Sequence, residues 1–131
     1  MANTSIDQLA AEIGLSIQEY TENVSEAVAK KTDQVAKAVL KETKALANSQ
    51  LKGEGKYVKG FTIVKEDEYC GTKRIIWNKK YYSRVHLLEK GHAKRGGGRV
   101  KAFPHVQPAY EKYGAPLPDH IKRIIRNGGG D

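Results

Sequence analysis

Between Leu15 and Lys52 the chain contains neither glycine nor proline. Apolar residues recur there at Ile17, Tyr20, Val24, Ala27, Val28, Val35, Ala38, Val39 and Leu46. Steps of three and four place them along one side of a helix. Ser16-Ile17-Gln18-Glu19 has the form of a capping box, so the sequence predicts a helix from Ser16 to about Asn48. Such a helix is on the order of 50 Å long, more than the diameter of a small domain, so part of it should project or bend. Ser5-Ile6-Asp7-Gln8 repeats the cap signal and opens a shorter helix, with Ile6, Leu9, Ala10 and Ile13 on one side and Gly14 as its end. Residues 5–50 therefore read as helical. The long stripe is interrupted by Lys31 and Glu42 and is rich in Ala rather than Leu. Packing against the chain's own sheet is accordingly preferred over an oligomer zipper.

Gly53-Glu54-Gly55 breaks the helix. Residues 56–78 read as a β-hairpin. Its first strand runs from Tyr57 to Lys65 with Tyr57, Phe61 and Ile63 on one face. Its second is centred on Ile75-Ile76-Trp77, and Tyr69-Cys70 extends one arm. Residues 81–113 read as a helix, a basic glycine-rich loop and a second helix. Tyr81 to Lys90 forms the first helix, with Gly91 as a left-handed cap residue. Arg99 to Phe103 is expected to return as a strand beside the hairpin. Pro104 and Pro108 open a helix to about Tyr113. After a break from Gly114 to Pro118, Asp119 caps a terminal helix over 119–126 with Ile121, Ile124 and Ile125 inward, and residues 127–131 fray. A chain of 131 residues supports a single domain with one modest core. The expected fold class is α+β: a small antiparallel sheet of about three or four strands, packed by a long N-terminal helix and shorter C-terminal helices.

The stretch from His86 to Pro108, HLLEKGHAKRGGGRVKAFPHVQP, carries the most specific pattern. Its middle cannot pack, because Gly96, Gly97 and Gly98 lack side chains and Lys94, Arg95, Arg99 and Lys101 resist burial. Its two ends can. His86, Glu89 and Gly91 form one shoulder, and Pro104 with His105 the other. Hydrogen bonds from His86 and His105, with Glu89 as one acceptor, would tie the shoulders together. The loop between them should be mobile, since it buries too little to offset its ordering entropy.

The string HLLE-x-GHAKRGGGRV, followed by Pro104-His105-Val106-Gln107-Pro108-Ala109, resembles the tail-component family of long-tailed bacteriophages, small head–tail joining, tail-completion or minor-capsid proteins. Tyr57-Val58-Lys59-Gly60-Phe61 and Ile76-Trp77-Asn78 resemble strands of the same family, and the likeness spans roughly Gly55 to Tyr113. The resemblance implies a non-enzymatic virion protein of phage or prophage. It would complete the upper end of the tail tube and join it to the head connector. Its partners would be other copies of itself, in a ring that is most often sixfold, and the adjoining head-connector and tail-tube proteins. Packaged DNA is a further, non-specific partner. The implied location is the virion, and the host cytoplasm during assembly. No cofactor is implied.

Other chemistries find little support in the residues. His86, His92, His105 and Glu89 are close in sequence, yet they lack Cys-x-x-Cys or His-x-x-x-His spacing, so no metal site is indicated and a small nuclease ranks third among the functional readings. Lys94 to Arg99 lacks the Gly-Lys-Ser/Thr ending of a phosphate loop. There is no Gly-x-Ser-x-Gly. The single cysteine, Cys70, allows no intrachain disulfide and fits a reducing cytoplasm. No apolar run is long enough to span a membrane, and no signal-peptide core is evident.

Charge is unevenly placed. Residues 1–70 carry 9 Lys/Arg against 11 Asp/Glu, and residues 71–131 carry 14 against 4. The second half thus has a net charge of +10 within a chain of +8. A polyanionic neighbour follows, either an acidic protein surface or nucleic acid. A small basic DNA-binding module is the alternative function for the same residues, with Tyr81, Tyr82, Phe103 and Tyr110 near the basic run. Those aromatics fall on apolar phases of their elements, which favours the core.

Overall fold

The computed structural model describes residues 5–68 and 71–130. The expected extension of the hairpin by Tyr69-Cys70, and the last residue of the expected frayed tail, Asp131, lie outside them. The fold is α+β. Its contacts define two compact units, Met1–Lys31 with Pro118–Asp131, and Thr32–Leu117. Among the described residues no helix is long and apolar enough to cross a membrane.

A single helix, α1, covers Ile6–Gln50 and contributes to both units. The cap signal at Ser5 is used: the Gln8 amide donates to Ser5 Oγ at 3.2 Å and the Ser5 amide to Gln8 Oε1 at 3.0 Å. Gly14 does not end this first helix, and Ser16 starts no second one. One glycine costs only about 1 kcal/mol relative to Ala inside a helix, which a 45-residue run absorbs.

In the unit Thr32–Leu117, the buried line of α1 is Ala36, Val39, Thr43 and Ala47. Small residues face inward because large ones oppose them. Ala47 and Leu51 pack with Tyr57, Val58 and Phe61, and around these lie Leu40, Ile76, Tyr81, Val85, Leu88, Phe103 and Val106. Tyr57 and Val58 are not on a strand, as the aromatic pattern implied. They sit on a short helix, α2 (Gly55–Lys59), and the first strand, β1, begins at Phe61. The helical turn buries the two consecutive side chains of Tyr57 and Val58 on one side, whereas a strand would send them to opposite faces. β1 (Phe61–Glu68) pairs antiparallel with β2 (Gly71–Asn78), with Phe61 opposite Asn78 and Ile63 opposite Ile76.

Arg74 of β2 fastens this hairpin to α1. Its Nε donates to Asp33 Oδ1 at 2.6 Å and its Nη1 to Asp67 Oδ1 at 2.7 Å, and only 6% of its side chain is exposed. The hydrogen bond from Arg74 is the main reason that the Asp33 carboxyl is held below the usual carboxylate range, with the charges of Arg74, Lys65 and Lys37 adding to it against some desolvation.

The chain continues through α3 (Tyr82–Lys90), β3 (His92–Ala93), β4 (Arg99–Val100) and α4 (Val106–Ala109), followed by a π-helical turn over Tyr110–Gly114. The expected return of Arg99–Phe103 to the first hairpin does not occur. β4 pairs with β3 instead, so the four strands form two separate antiparallel pairs. The short connection makes the local pairing the less costly one.

In the unit Met1–Lys31 with Pro118–Asp131, α5 (Leu117–Arg126) begins before Asp119, which lies in its first turn and is not its cap. Pro118 is accommodated because a first-turn amide has no partner in the helix. Ile124 is buried and Ile121 half-buried, while Ile125 is exposed rather than inward. The expected frayed tail is hydrogen-bonded through Gly130. The Gly129 amide donates to the Ile124 carbonyl at 2.9 Å and the Gly128 amide to that of Ile125 at 3.3 Å, with Gly128 at φ +63°, forming a Schellman cap. Tyr20 of α1 donates its hydroxyl to the Ile125 carbonyl at 2.7 Å.

Val39→Asp is expected to destabilise the protein by a few kcal/mol, roughly 3, because an unpaired carboxylate enters a packed face. Thermal unfolding unchanged from wild type would remove Val39 from the core. Asp33 has a lowered folded-state pKa. Its stabilisation is therefore full above the ordinary aspartate range and is lost as pH falls through the folded value. Asp33→Asn should lower Tm at neutral pH, and the gap to wild type should close on acidification. A gap independent of pH would assign the effect to packing.

Candidate functional site

The basic stretch is built as a zipped hairpin on the end of α3. α3 stops at Lys90 because Gly91 takes φ +71° and ψ 177°, a conformation that L side chains rarely adopt. A Cβ there would also lie 2.5 Å from the Val100 carbonyl oxygen. The chain on either side of the loop is then joined step by step. The Phe103 amide donates to the Leu88 carbonyl at 2.6 Å, and Arg99 Nη2 to the Lys90 carbonyl at 3.3 Å. His92 pairs with Val100 and Ala93 with Arg99. The Lys94 amide donates to the Gly98 carbonyl at 2.9 Å, and the Gly97 amide to the Lys94 carbonyl at 3.2 Å. The expected loose arm is thus a short hairpin with a closed turn.

At the base of the hairpin the Glu89 carboxylate caps the incoming α4. Its Oε1 accepts from the amides of His105 at 2.7 Å and Val106 at 2.6 Å, and its Oε2 from that of Gln107 at 3.2 Å. These amides begin a helix and have no carbonyl of their own to meet, so a carboxylate is well suited to them. The ring of His105 is fully buried. Its Nδ1 faces two acceptors, the Phe103 carbonyl at 2.7 Å and Glu89 Oε1 at 2.8 Å, and so carries a proton. Its Nε2 then accepts from the Tyr57 hydroxyl at 2.8 Å. Burial pushes the Tyr57 phenol far above its ordinary value, the Glu89 charge adds to this, and Arg84 opposes it. Tyr57 also makes edge-on ring contacts with Phe61 and His105. Asn78 closes the network: its Nδ2 donates to the Tyr57 carbonyl at 2.7 Å, and its Oδ1 accepts from the Tyr81 amide at 3.1 Å.

The structure brings Glu89, Gly91 and His105 together at the hairpin base. His86 and Pro104 are exposed and stand outside the clamp. The helical phase of α3 decides this for His86, because the turns that half-bury Val85, Leu88 and Glu89 direct position 86 outward. Lys94, Arg95, Gly96, Gly97, Gly98, Arg99 and Lys101 are all exposed, and Lys94, Arg95 and Lys101 form no ion pair among the described residues. Nor do any three His, Cys, Asp or Glu side chains among them gather as a metal site. Sequence reasoning missed Tyr57 and Asn78. The partner of the Tyr57 hydroxyl lies 48 residues away and that of the Asn78 amide nitrogen 21 residues away, out of reach of any local pattern.

Residues 11–91 match the model of the family "Bacteriophage HK97-gp10, putative tail-component". The chain belongs to this family. It is therefore a phage tail component, with a structural role in the virion and contacts to other virion proteins. No curated protein and no solved structure matches the chain. The family match takes in α1 from residue 11 onward, the first hairpin, α3 with Glu89, and Gly91. The basic hairpin and His105 follow directly after it.

Glu89→Ala leaves three amides without their acceptor and should cost about 3 kcal/mol or more, whereas Glu89→Gln, which keeps an acceptor oxygen, should cost less. Gly91→Ala should destabilise by about 1–3 kcal/mol through its φ and the contact with Val100. Chemical denaturation measures all three. If Glu89→Ala matched wild type, the carboxylate would not hold the base of the hairpin.

Proposed function

We propose that this tail component completes the upper end of the tail tube and joins it to the head connector, assembled as a ring with the rotational symmetry of the tube, most often sixfold. It would act in the virion after folding in the host cytoplasm. The exposed basic hairpin carries this reading. Three of its four cationic side chains form no ion pair among the described residues, while the frame beneath them is fixed by the Glu89 and His105 hydrogen bonds. Such a surface binds negative charge without first having to fold. Its partner is an acidic face of the adjoining ring, and its affinity should fall as salt rises.

Lys94, Arg95 and Lys101 replaced together by Ser test this. Arg99 is kept because it bonds the Lys90 carbonyl. The triple variant should fold with wild-type thermal stability, yet yield separate full heads and tails. Normal yields of infectious particles would reduce the hairpin to a surface loop. Wild-type protein that retards duplex DNA strongly and in a salt-dependent way, with joining unaffected by the triple variant, would instead favour a DNA-binding role.

A further inference from the structure

The first turns of α1 carry an apolar stripe that has no cover along most of its length. Ile6 is 87% exposed, Ile13 52% and Ile17 61%. Ile6, Ala10, Ile13, Ile17, Tyr20 and Val24 follow one another in steps of four and three, the spacing of a two-helix seam. With Leu9, they fall within an arc of about 100° on the helix. Only at Tyr20 and beyond does α5 of the same unit begin to shield it, through the bond between Tyr20 and the Ile125 carbonyl.

Charge identifies what covers this stripe. Residues 6–29 hold five carboxylates, Asp7, Glu12, Glu19, Glu22 and Glu26, and no Lys or Arg. Two such helices would repel each other if the carboxylates bordered the seam. They do not. Glu12, Glu19, Glu22 and Glu26 lie on the opposite side of the helix, and the positions flanking the stripe are Asp7, Leu9, Gly14, Ser16, Thr21 and Asn23, of which Asp7 alone is charged. A basic partner would find almost no charge beside the stripe to recognise. A second helix with the same spacing and the same neutral borders would find a matching surface. Gly14 is consistent with this, since a Cβ there would meet nothing within 4 Å in the protein. Its small size therefore answers no internal packing need and leaves room for a neighbouring helix.

We infer that residues 6–17 of α1 form a self-association surface on which the same stripe of a second copy docks, with the acidic face turned outward. This rests on the functional reading only in that copies meet in the virion. The pairing of like surfaces is a twofold contact, separate from the head-to-tail contacts that close a ring. The test uses purified protein without heads or tails. In analytical ultracentrifugation the wild type should associate reversibly as concentration rises. Ile13→Ala with Ile17→Ala should abolish that association while circular dichroism and Tm stay unchanged, since both residues are exposed and Ala favours helix. Glu19→Gln with Glu22→Gln should leave association intact. The inference is overturned if the wild type stays monomeric to millimolar concentration, or if the double Ala variant associates like wild type. Loss of association in the Gln pair would overturn it too, by making the acidic face the contact.

Discussion

The Glu89 carboxylate is the point on which the end of α3, the basic hairpin and the start of α4 depend. Its two oxygens accept from three backbone amides at the start of α4. In doing so it fixes the backbone at residues 105–107, and this places the His105 ring in the core against Tyr57 and Phe61. The polar groups are not decoration on a hydrophobic core. Tyr57, Asn78 and His105 are among its largest fully buried side chains, and each is hydrogen-bonded. A buried network of this kind stabilises one arrangement over its neighbours because any shift leaves a donor or an acceptor unpaired.

Much of the fold was legible because it rests on local signals. The absence of Gly and Pro from Leu15 to Lys52 announced the long helix, and the Ser5–Gln8 cap was used as written. The glycine at 91 marked the end of α3. Where reading failed, distant or competing terms prevailed. Gly14 looked like a stop, but helical continuity outweighs the cost of one glycine. Tyr57 has the composition of a strand and is helical, because packing against α1 decides its conformation. Arg74 gave no sign of its role, since its partner Asp33 is 41 residues away.

The candidate site divides in the same way. Lys94, Arg95, Arg99 and Lys101 read as exposed from their type alone and are exposed. The cross-links below them required three dimensions. Helical phase separates His86 from Glu89, three residues apart in sequence, and no count of residue types could have told which of the two faces inward. The chain around the glycines was read as loose because glycine lacks side-chain contacts. Its backbone hydrogen bonds supply the closure that side chains do not.

The unit that joins α5 to the part of α1 before residue 32 sets an order of events during synthesis. The Tyr20 hydroxyl leaves the ribosome 105 residues before its acceptor, the Ile125 carbonyl. The unit Thr32–Leu117 can close once residue 107 has appeared, since Glu89 then has all three of its amides. The turn of α1 at Tyr20 must wait for α5 and its Schellman cap. A nascent chain therefore holds the Tyr20 turn of α1 without its acceptor until Ile125 has appeared, and neighbouring chains on one message meet in that state.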